Sequence, residues 1–354
     1  MFLFAPVAFG QAKISNPAPD RWIMQETGSQ ASLRGICAVD EKVCWASGSG
    51  GTVLRTTDGG ESWRNVGPKD SDKMDFRDVH AGNADSAIIM SAGDPDRLYR
   101  TSDGGGTWKV VYEHPDTVAF FDGFVFDKAG ERGFLMGDPL NGRLFVLFTK
   151  DSGHSWVQFP PEEMPEIPAG IAGFAASGTN LCLLDNRQLM IGLGGKSTVG
   201  EKETAMVAFA QMGKGGLHLA ATPMASNESS GIFSVVQVLA DNNRIVAVGG
   251  DYTGNGGQGN NIAISEDSGL TWRLPKGEPP AGFRSVVVVA KMPGNNVVFL
   301  LAVGPSGTDW SGDLGESWKT LSTTGFHTAS FVPGTEFGWA AGSEGRIGKW
   351  RAEK

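Results

Sequence analysis

The sequence predicts an all-β chain folded as a seven-bladed β-propeller whose last blade is completed by the N-terminal strand. Three observations predict this fold. The 354 residues include 51 glycines and ten tryptophans, a composition typical of short strands joined by tight turns. An octet of the form Ser/Thr-x-Asp-x-Gly-x-Ser/Thr-Trp recurs along the chain. Short apolar runs surround each octet, and no stretch shows helical periodicity with capping residues.

The octet occurs five times and sets the length of the repeat. Its aspartates are separated by 45, 48, 116 and 46 residues, and the long interval contains one repeat whose octet is lost at 211–218. The aspartate accepts hydrogen bonds from turn amides, the glycine supplies a positive φ and the tryptophan begins the next strand. A calcium loop would need a downstream glutamate that is missing. We therefore predict a turn between third and fourth strands at Asp58, Asp103, Asp151, Asp267 and Asp313.

Each repeat contains four runs of strand length. The aligned first strands begin at Leu33, Phe76, Phe121, Gly178, Ile232, Phe283 and Phe326. The seventh repeat reaches only its third strand, at 346–350, and residues 21–24 resemble the fourth strand of the first repeat. We therefore predict that the N-terminal strand completes the last blade, because closing the ring in this way removes exposed sheet edges.

The N-terminal residues are predicted to lie outside the propeller. Gly10 and Ala12 are the small residues of a plausible signal-peptidase site after an apolar stretch. We therefore interpret 1–12 as the remainder of a signal peptide, 13–20 as a linker and 21–354 as a single domain. An apolar tail without an export role is the alternative. The signal-peptide interpretation implies an extracytoplasmic protein. No apolar run reaches the ~18 residues of a membrane helix, so we expect it to be peripheral to a membrane at most.

Charge and cysteine content limit the function classes. The formal net charge of −9 argues against nucleic-acid binding. A two-residue turn at 40–41 would place Cys37 opposite Cys44, where a disulfide is geometrically possible; two buried free thiols are the alternative. No metal-ligand spacing exists among Cys182, these two cysteines and the five histidines. No glycine-rich motif opens a helix, so we expect neither a metal nor a cofactor.

Polar residues are predicted to gather where the first strands begin, at the face opposite the octets. The second position of the aligned strands carries three arginines, which would converge on the channel mouth and bind carboxylates or phosphates. The alternative is that each arginine pairs with a neighbouring aspartate and braces blade packing. For Asp94 and Asp138, which precede proline, turn capping is a further alternative. The candidate binding residues are Arg34, Arg77, Asp78, Asp122, Arg284, His327, Asp94, Asp138 and Asp251.

The octets, the seven repeats and the closing strand resemble the photosystem II stability/assembly-factor family of Asp-box (BNR-type) β-propellers. The resemblance extends over 21–352 and is carried by segments such as 50–63 and 338–350. It implies a bacterial member that binds another protein or peptide and assists its assembly or stability. The octet is specific for the fold and not for the function, since it also occurs in sialidases, glycoside hydrolases and sorting receptors.

We expect a non-catalytic, monomeric protein that binds a protein or peptide with an acidic group. The alternative is a sialidase-like glycosidase, in which Tyr252 would be the nucleophile and Glu228 its helper. The Arg-Ile-Pro motif of sialidases is absent, and Arg34-Gly35-Ile36 only approaches it. A third hypothesis is a structural repeat module within a surface complex.

Overall fold

The chain is almost entirely β-structure, which confirms the predicted all-β class. A computed structural model describes residues 21–93, 95–115, 119–185, 188–196, 204–211, 216–238, 243–254, 260–292 and 297–351. The predicted signal-peptide remnant, the linker and Asp94 lie outside the described residues. The helical structure in these ranges is a 3-10 turn at Pro161–Glu163, and no helix there has the length and apolarity to cross a bilayer.

Strands that follow one another along the chain pair into antiparallel sheets. The N-terminal strand is β1 (Trp22–Gln25). The first three sheets contain β2 (Leu33–Ala38), β3 (Cys44–Gly48), β4 (Val53–Thr56) and β5 (Arg64–Asn65); β6 (Phe76–Ala81), β7 (Ala87–Ser91), β8 (Arg97–Thr101) and β9 (Lys109–Glu113); and β10 (Phe121–Phe126), β11 (Gly133–Leu140), β12 (Arg143–Thr149) and β13 (Val157–Gln158).

The second half of the chain continues this arrangement. An eight-stranded sheet contains β14 (Ile171–Ala172), β15 (Leu181–Leu183), β16 (Gln188–Gly195), β17 (Thr204–Gln211), β18 (Leu217–Ala225), β19 (Ser230–Gln237), β20 (Ile245–Asp251) and β21 (Ile262–Ser265). Two four-stranded sheets follow. They contain β22 (Val286–Lys291), β23 (Val298–Gly304), β24 (Gly307–Ser311) and β25 (Lys319–Ser322); and β26 (Thr328–Phe331), β27 (Gly338–Ala341), β28 (Ile347–Trp350) and β1.

The eight-stranded sheet is two sheets joined at one point. Gly194 of β16 lies opposite Gly231 of β19, and this is the pair that links the two halves. A side chain on Gly194 would come within 2.5 Å of the Gly231 Cα atom, so two glycines are what allow the backbones to approach. The second half lacks a regular fourth strand, and an isolated bridge between Ile264 and Arg273 stands in its place.

The first strands of the sheets form a closed series of contacts. β2 contacts β6, β6 contacts β10, and the series continues through β15, β19, β22 and β26, which contacts β2 again. The hydrophobic core lies between neighbouring sheets; Trp45 and Val53 of one sheet pack with Phe76 and Ile89 of the next. Second strands such as β3, β7 and β23 are therefore buried along their whole length, whereas the fourth strands β5 and β13 are exposed.

β1 pairs with β28 and completes the last sheet, as the sequence predicts. Trp22 lies opposite Trp350 in this antiparallel pair, and the two rings pack edge to face with centroids 5.1 Å apart. The Trp22 ring also contacts Phe326, with centroids 5.3 Å apart, and its Nε1–H donates to Thr308 Oγ1. The N-terminal strand β1 is thus held by contacts with the last two sheets.

The five octets share one hydrogen-bond pattern. In the first, Asp58 Oδ1 accepts from the Thr56 hydroxyl and the Ser62 N–H, and Asp58 Oδ2 accepts from the Ser62 hydroxyl. The Thr56 hydroxyl oxygen also accepts from the Gly60 N–H, whose φ of 88° needs glycine. The carboxylate thus ties the two ends of each turn together. The same bonds recur at Asp103, Asp151, Asp267 and Asp313.

Asp151→Ala is expected to lower the free energy of unfolding by about 1 kcal/mol, since the lost hydrogen bonds are exposed to solvent. Burial would raise the pKa of Asp151, but bonds from Ser155 and Thr149 outweigh it and lower that pKa to about 2. The stabilisation is therefore present above the unfolded pKa near 4 and is lost as the pH falls towards 2. Urea unfolding at pH 7 and pH 2.5 measures it. Asp85→Ala, an exposed aspartate outside the octets, should have no comparable effect.

The hypothesis of a disulfide in the first sheet is wrong. Cys37 lies opposite Trp45, and Cys44 lies opposite Ala38, so the two cysteines are offset by one residue and face opposite sides of the sheet. The offset arises because the loop at 39–43 is longer than a two-residue turn; Asp40 Oδ1 accepts the N–H groups of Lys42 and Val43 inside it. Both are free thiols, and burial raises the pKa of Cys37 to about 11.

Candidate functional site

A β-bulge occurs near the start of four first strands, and the extra residue occupies the same repeat position each time. The pairing of β2, β6, β10 and β19 with the neighbouring strand skips Arg34, Arg77, Asp122 and Phe233. A bulge bends the strand and redirects the side chain of the unpaired residue. All four of these side chains line one cavity.

This cavity, which we call the first-strand cavity, has a volume of about 490 Å³. Five of the nine sequence-predicted binding residues line it, namely Arg34, Arg77, Asp122, Asp138 and His327, and Ser285 adds a further polar group. A volume of this size accommodates a small ligand or a short piece of a larger one. The structure therefore brings together residues that are up to 293 positions apart in the sequence, from Arg34 to His327.

Arg34 is the unpaired cation of the cavity. It is half-buried, and among the described residues none forms a hydrogen bond or an ion pair with its guanidinium. Burial, followed by the positive charge of Arg77, lowers the pKa of Arg34, and the carboxylate of Asp75 opposes this shift. Because an arginine remains protonated even so, the cavity contains a positive charge that no carboxylate of the described chain neutralises directly.

Arg77 is held in place beside Arg34. Its Nε–H donates to Asp75 Oδ2 over 2.8 Å, and its Nη1–H donates to the carbonyl of Ala175 over 3.0 Å. The guanidinium also lies over the Phe120 ring, 5.5 Å from its centroid. The alternative in which each arginine pairs with a neighbouring aspartate therefore applies to Arg77, whose partner is Asp75. These contacts fix the direction of the guanidinium and so preorganise the cationic side of the cavity.

Two carboxyl groups line the same cavity. Asp122 is 1% exposed, and its Oδ2 atom has no hydrogen-bond partner among the described residues. Burial, and then the charge of Asp138, raises the pKa of Asp122 well above its usual range. Burial also raises the pKa of Asp138 to about 6, although the N–H of Gly173 opposes the shift. Both environments favour the neutral acid, which can donate a hydrogen bond.

His327 contributes a neutral ring to the cavity at physiological pH. Burial, followed by the charges of Arg34 and Arg346, lowers the pKa of His327 to about 4. Its Nε2 atom lies 2.9 Å from the hydroxyl oxygen of Ser343, which fixes the orientation of the ring. The positive charge of the cavity at neutral pH therefore comes from its arginines.

An aromatic wall faces this polar lining, and sequence reasoning missed it as a group. It consists of Phe174, Phe233, Tyr252 and Phe283. Phe174 stacks on Phe233 with centroids 4.1 Å apart, and Phe283 meets Phe233 edge to face at 4.7 Å. The available signal was Phe233, a phenylalanine at the repeat position that elsewhere carries arginine, aspartate, threonine or histidine.

Arg284, the third predicted arginine, lies apart from the cavity lining. It is 1% exposed, and its guanidinium pairs with Asp309 Oδ2 over 2.8 Å. Its Nη1–H groups donate to the carbonyl of Phe283 and the hydroxyl of Ser306. The guanidinium is thus saturated by internal partners, as the alternative of ion pairing describes, and it joins the segment just before β22 to β24.

Two predicted aspartates also have local partners instead of lining the cavity. Asp78 accepts the N–H groups of Val79 at 2.8 Å and Phe124 at 3.0 Å, and it therefore joins β6 to β10. Asp251 accepts bonds from Thr253 and from the Ser229 hydroxyl, and these contacts fix the turn after β20. The hydrogen bond from the Thr253 hydroxyl makes the largest contribution to lowering the pKa of Asp251.

The pair required by the glycosidase alternative is not formed. Within the described chain, the Tyr252 hydroxyl makes no hydrogen bond, and Glu228 lies 3.8 Å from Lys196 Nζ with a side chain 84% exposed. Tyr252 is 55% exposed and contributes its ring to the aromatic wall. The described residues also contain no group of three or more His, Cys, Asp or Glu side chains that could hold a metal ion.

The sheets and the first-strand cavity define the class of protein: an all-β chain with a β-propeller fold and a mixed cationic and aromatic cavity where its first strands begin. Two solved structures with which it shares this fold are both YCF48. One is "YCF48 bound to D1 peptide", with a TM-score of 0.60, 16% identity, and coverage of 94% of this chain and 96% of that chain. The other is YCF48 from Cyanidioschyzon merolae, with a TM-score of 0.61, 15% identity, and coverage of 94% and 99%. Comparisons with protein-family models and with curated protein sequences give no match.

Proposed function

We propose that this chain is an exported, monomeric, seven-bladed β-propeller with Asp-box turns that binds a protein or peptide through an acidic group, and that it assists the assembly or stability of that partner. The observation that carries the proposal is the unpaired guanidinium of Arg34 beside Arg77 in the first-strand cavity. The resemblance of the sequence to photosystem II assembly factors supports it. The fold shared with YCF48, one structure of which contains a D1 peptide, supports it as well.

The closed series of first strands supports a ring of seven blades. The contacts from β2 round to β26 and back include seven first strands when the eight-stranded sheet is divided at Gly194 and Gly231. The recurring bonds of the five octet aspartates match the turn that an Asp-box provides in each blade. A ring of this kind leaves the first-strand ends at one face, where loops and strand ends build binding sites.

The electrostatics of the cavity favour an anionic ligand. Two guanidinium groups close enough for one to lower the pKa of the other repel each other, and the carboxylate of Asp75 compensates directly only for Arg77. A bound carboxylate would relieve this repulsion and form charge-assisted hydrogen bonds in a partly dehydrated site. A chain with a net charge of −9 thus keeps a local positive site for an acidic partner.

Arg34→Gln is the test. Synthetic octapeptides with one acidic residue and amidated ends, each paired with its Asn or Gln counterpart, are titrated against wild type and variant by calorimetry. We expect wild type to bind the acidic peptides at least tenfold more tightly and Arg34→Gln to lose that preference, because about 1.4 kcal/mol of charge-assisted bonding corresponds to tenfold. Arg132→Gln, an exposed arginine in the turn after β10, is the matched control. Equal binding of acidic and neutral peptides by wild type would overturn the proposal.

Peptide affinity should fall about threefold to tenfold as the pH rises from 5 to 7. In this window Asp138, whose pKa burial raises to about 6, loses its proton and repels an anionic ligand. Asp96, with a pKa raised to about 6 by burial, adds to the effect. His327 has a pKa of about 4 and stays neutral throughout, and the arginines stay charged. Asp138→Asn should flatten the pH profile measured by calorimetry; an affinity that rises with pH would contradict the interpretation.

A further inference from the structure

We infer that the aromatic wall is a specificity subsite that selects a large apolar side chain beside the acidic group of the ligand. This inference rests on the proposed function and deepens it, because it names the second chemical feature of the partner. Its basis is the juxtaposition of Arg34 with Phe174, Phe233 and Tyr252 around a single cavity of about 490 Å³.

The rings of the aromatic wall pack against one another, and the wall is partly open to solvent. Phe233 is 2% exposed and is held by Phe174 on one face and by the edge of Phe283, while Tyr252 is 55% exposed at the rim. The Tyr252 ring lies 6.3 Å from Phe233 and 6.5 Å from Phe174 at steep angles, so the rings form a concave corner and not a flat stack. Aromatic rings arranged in this way bury a large apolar area when another side chain fills the corner.

The carboxyl groups restrict the charge of the ligand. Asp122 has an unpartnered Oδ2 atom that is buried close to Gly173, and Asp138 lines the same cavity. Near neutral pH Asp138, whose pKa burial raises to about 6, has lost its proton and repels a doubly charged ligand more strongly than a singly charged one. A single carboxylate with an apolar side chain next to it therefore fits, and a doubly charged phosphate does not.

This chemistry has two sources in a polypeptide. One is a free C-terminal carboxylate on a residue with a large apolar side chain; the other is an internal Asp or Glu that follows such a residue. Four acetylated probes test the preference for an apolar side chain with each kind of carboxylate. Gly-Gly-Phe and Gly-Gly-Gly have free C-terminal carboxylates, whereas Gly-Phe-Asp-Gly and Gly-Gly-Asp-Gly have amidated ends and an internal aspartate. We expect the phenylalanine probe of at least one pair to bind about tenfold or more tightly than its glycine counterpart, as burial of one aromatic side chain provides about 1.5–3 kcal/mol.

The variants Tyr252→Ser and Phe174→Ala should remove the preference for phenylalanine and keep the preference for an acidic probe over its amide or Asn counterpart. Arg34→Gln should do the reverse. Leu270→Ser, at an exposed apolar residue in an octet turn, is the matched control, and thermal melting confirms that each variant is folded. Equal affinity for the phenylalanine and glycine probes of both pairs would overturn the inference and leave the proposed function standing. Loss of the acidic preference in wild type would overturn both, and inorganic phosphate that competes with the probes would overturn the charge restriction.

Discussion

Arg284→Ala is expected to lower the free energy of unfolding by about 3–5 kcal/mol, because it leaves a buried carboxylate without its cation. Arg284 and Asp309 are both 1% exposed, and the guanidinium contacts Asp309 Oδ2 through both its Nε and Nη2 atoms at 2.8 Å. Asp309 also accepts the N–H of Ala281 and the hydroxyl of Thr320, so its charge is fixed in place by further bonds. Urea unfolding followed by tryptophan fluorescence measures the loss.

A double variant separates the cost of an unpaired charge from the value of the pair. Arg284→Met with Asp309→Leu removes both charges and keeps the volume apolar, so it should be less destabilising than either single change. Arg132→Ala, at an exposed arginine, should change the free energy of unfolding by less than about 0.5 kcal/mol. If the double variant proved as unstable as the sum of the single variants, the ion pair would not be the dominant interaction at this position.

Trp22→Ala is expected to cost about 3–5 kcal/mol, since the ring is 4% exposed and fills a corner between two sheets. The change removes the contacts with Trp350 and Phe326 and leaves Thr308 Oγ1 without its donor. The pairing of β1 with β28 is noncovalent, so the loss should also weaken the closure of the ring. Differential scanning calorimetry measures the shift in melting temperature.

Two controls sharpen the Trp22 result. Trp22→Phe keeps an aromatic ring and should lose roughly half as much stability as Trp22→Ala. Ile23→Ala lies on the same strand with a side chain that is 42% exposed, so it should cost much less. Equal effects of Trp22→Ala and Ile23→Ala would mean that the strand contributes through its backbone pairing and not through the buried ring.

The repeating features of this fold could be predicted from sequence because each is encoded locally. The octet contains its own donors and acceptors, from Thr56 to Ser62, and therefore forms the same turn wherever it occurs. The closing strand could be identified from its likeness to 62–65. Register was less predictable, because the offset between Cys37 and Cys44 depends on the loop at 39–43, where the side chain of Asp40 accepts two backbone N–H groups.

The position of the site could be predicted from the sequence, but the set of residues that line it could be predicted only in part. Alignment of the first strands located the bulged position that directs Arg34, Arg77 and Asp122 into one cavity. It did not distinguish Arg284, because the partner that removes this arginine from the lining, Asp309, belongs to a different strand. The aromatic wall was missed since Phe174 lies outside the aligned first strands, and only the folded chain brings it and Phe283 together around Phe233.

The pairing of β1 with β28 has a topological consequence. The polypeptide leaves the ring at the point where it entered, so the order of sheets along the chain is one of several equivalent orders round the circle. Joining Trp350 to Trp22 through a short linker and opening the backbone at an exposed hairpin would give a permuted chain with the same set of strand pairs. Which sheet comes first therefore depends on where the polypeptide chain begins, whereas the set of strand pairs in the fold does not.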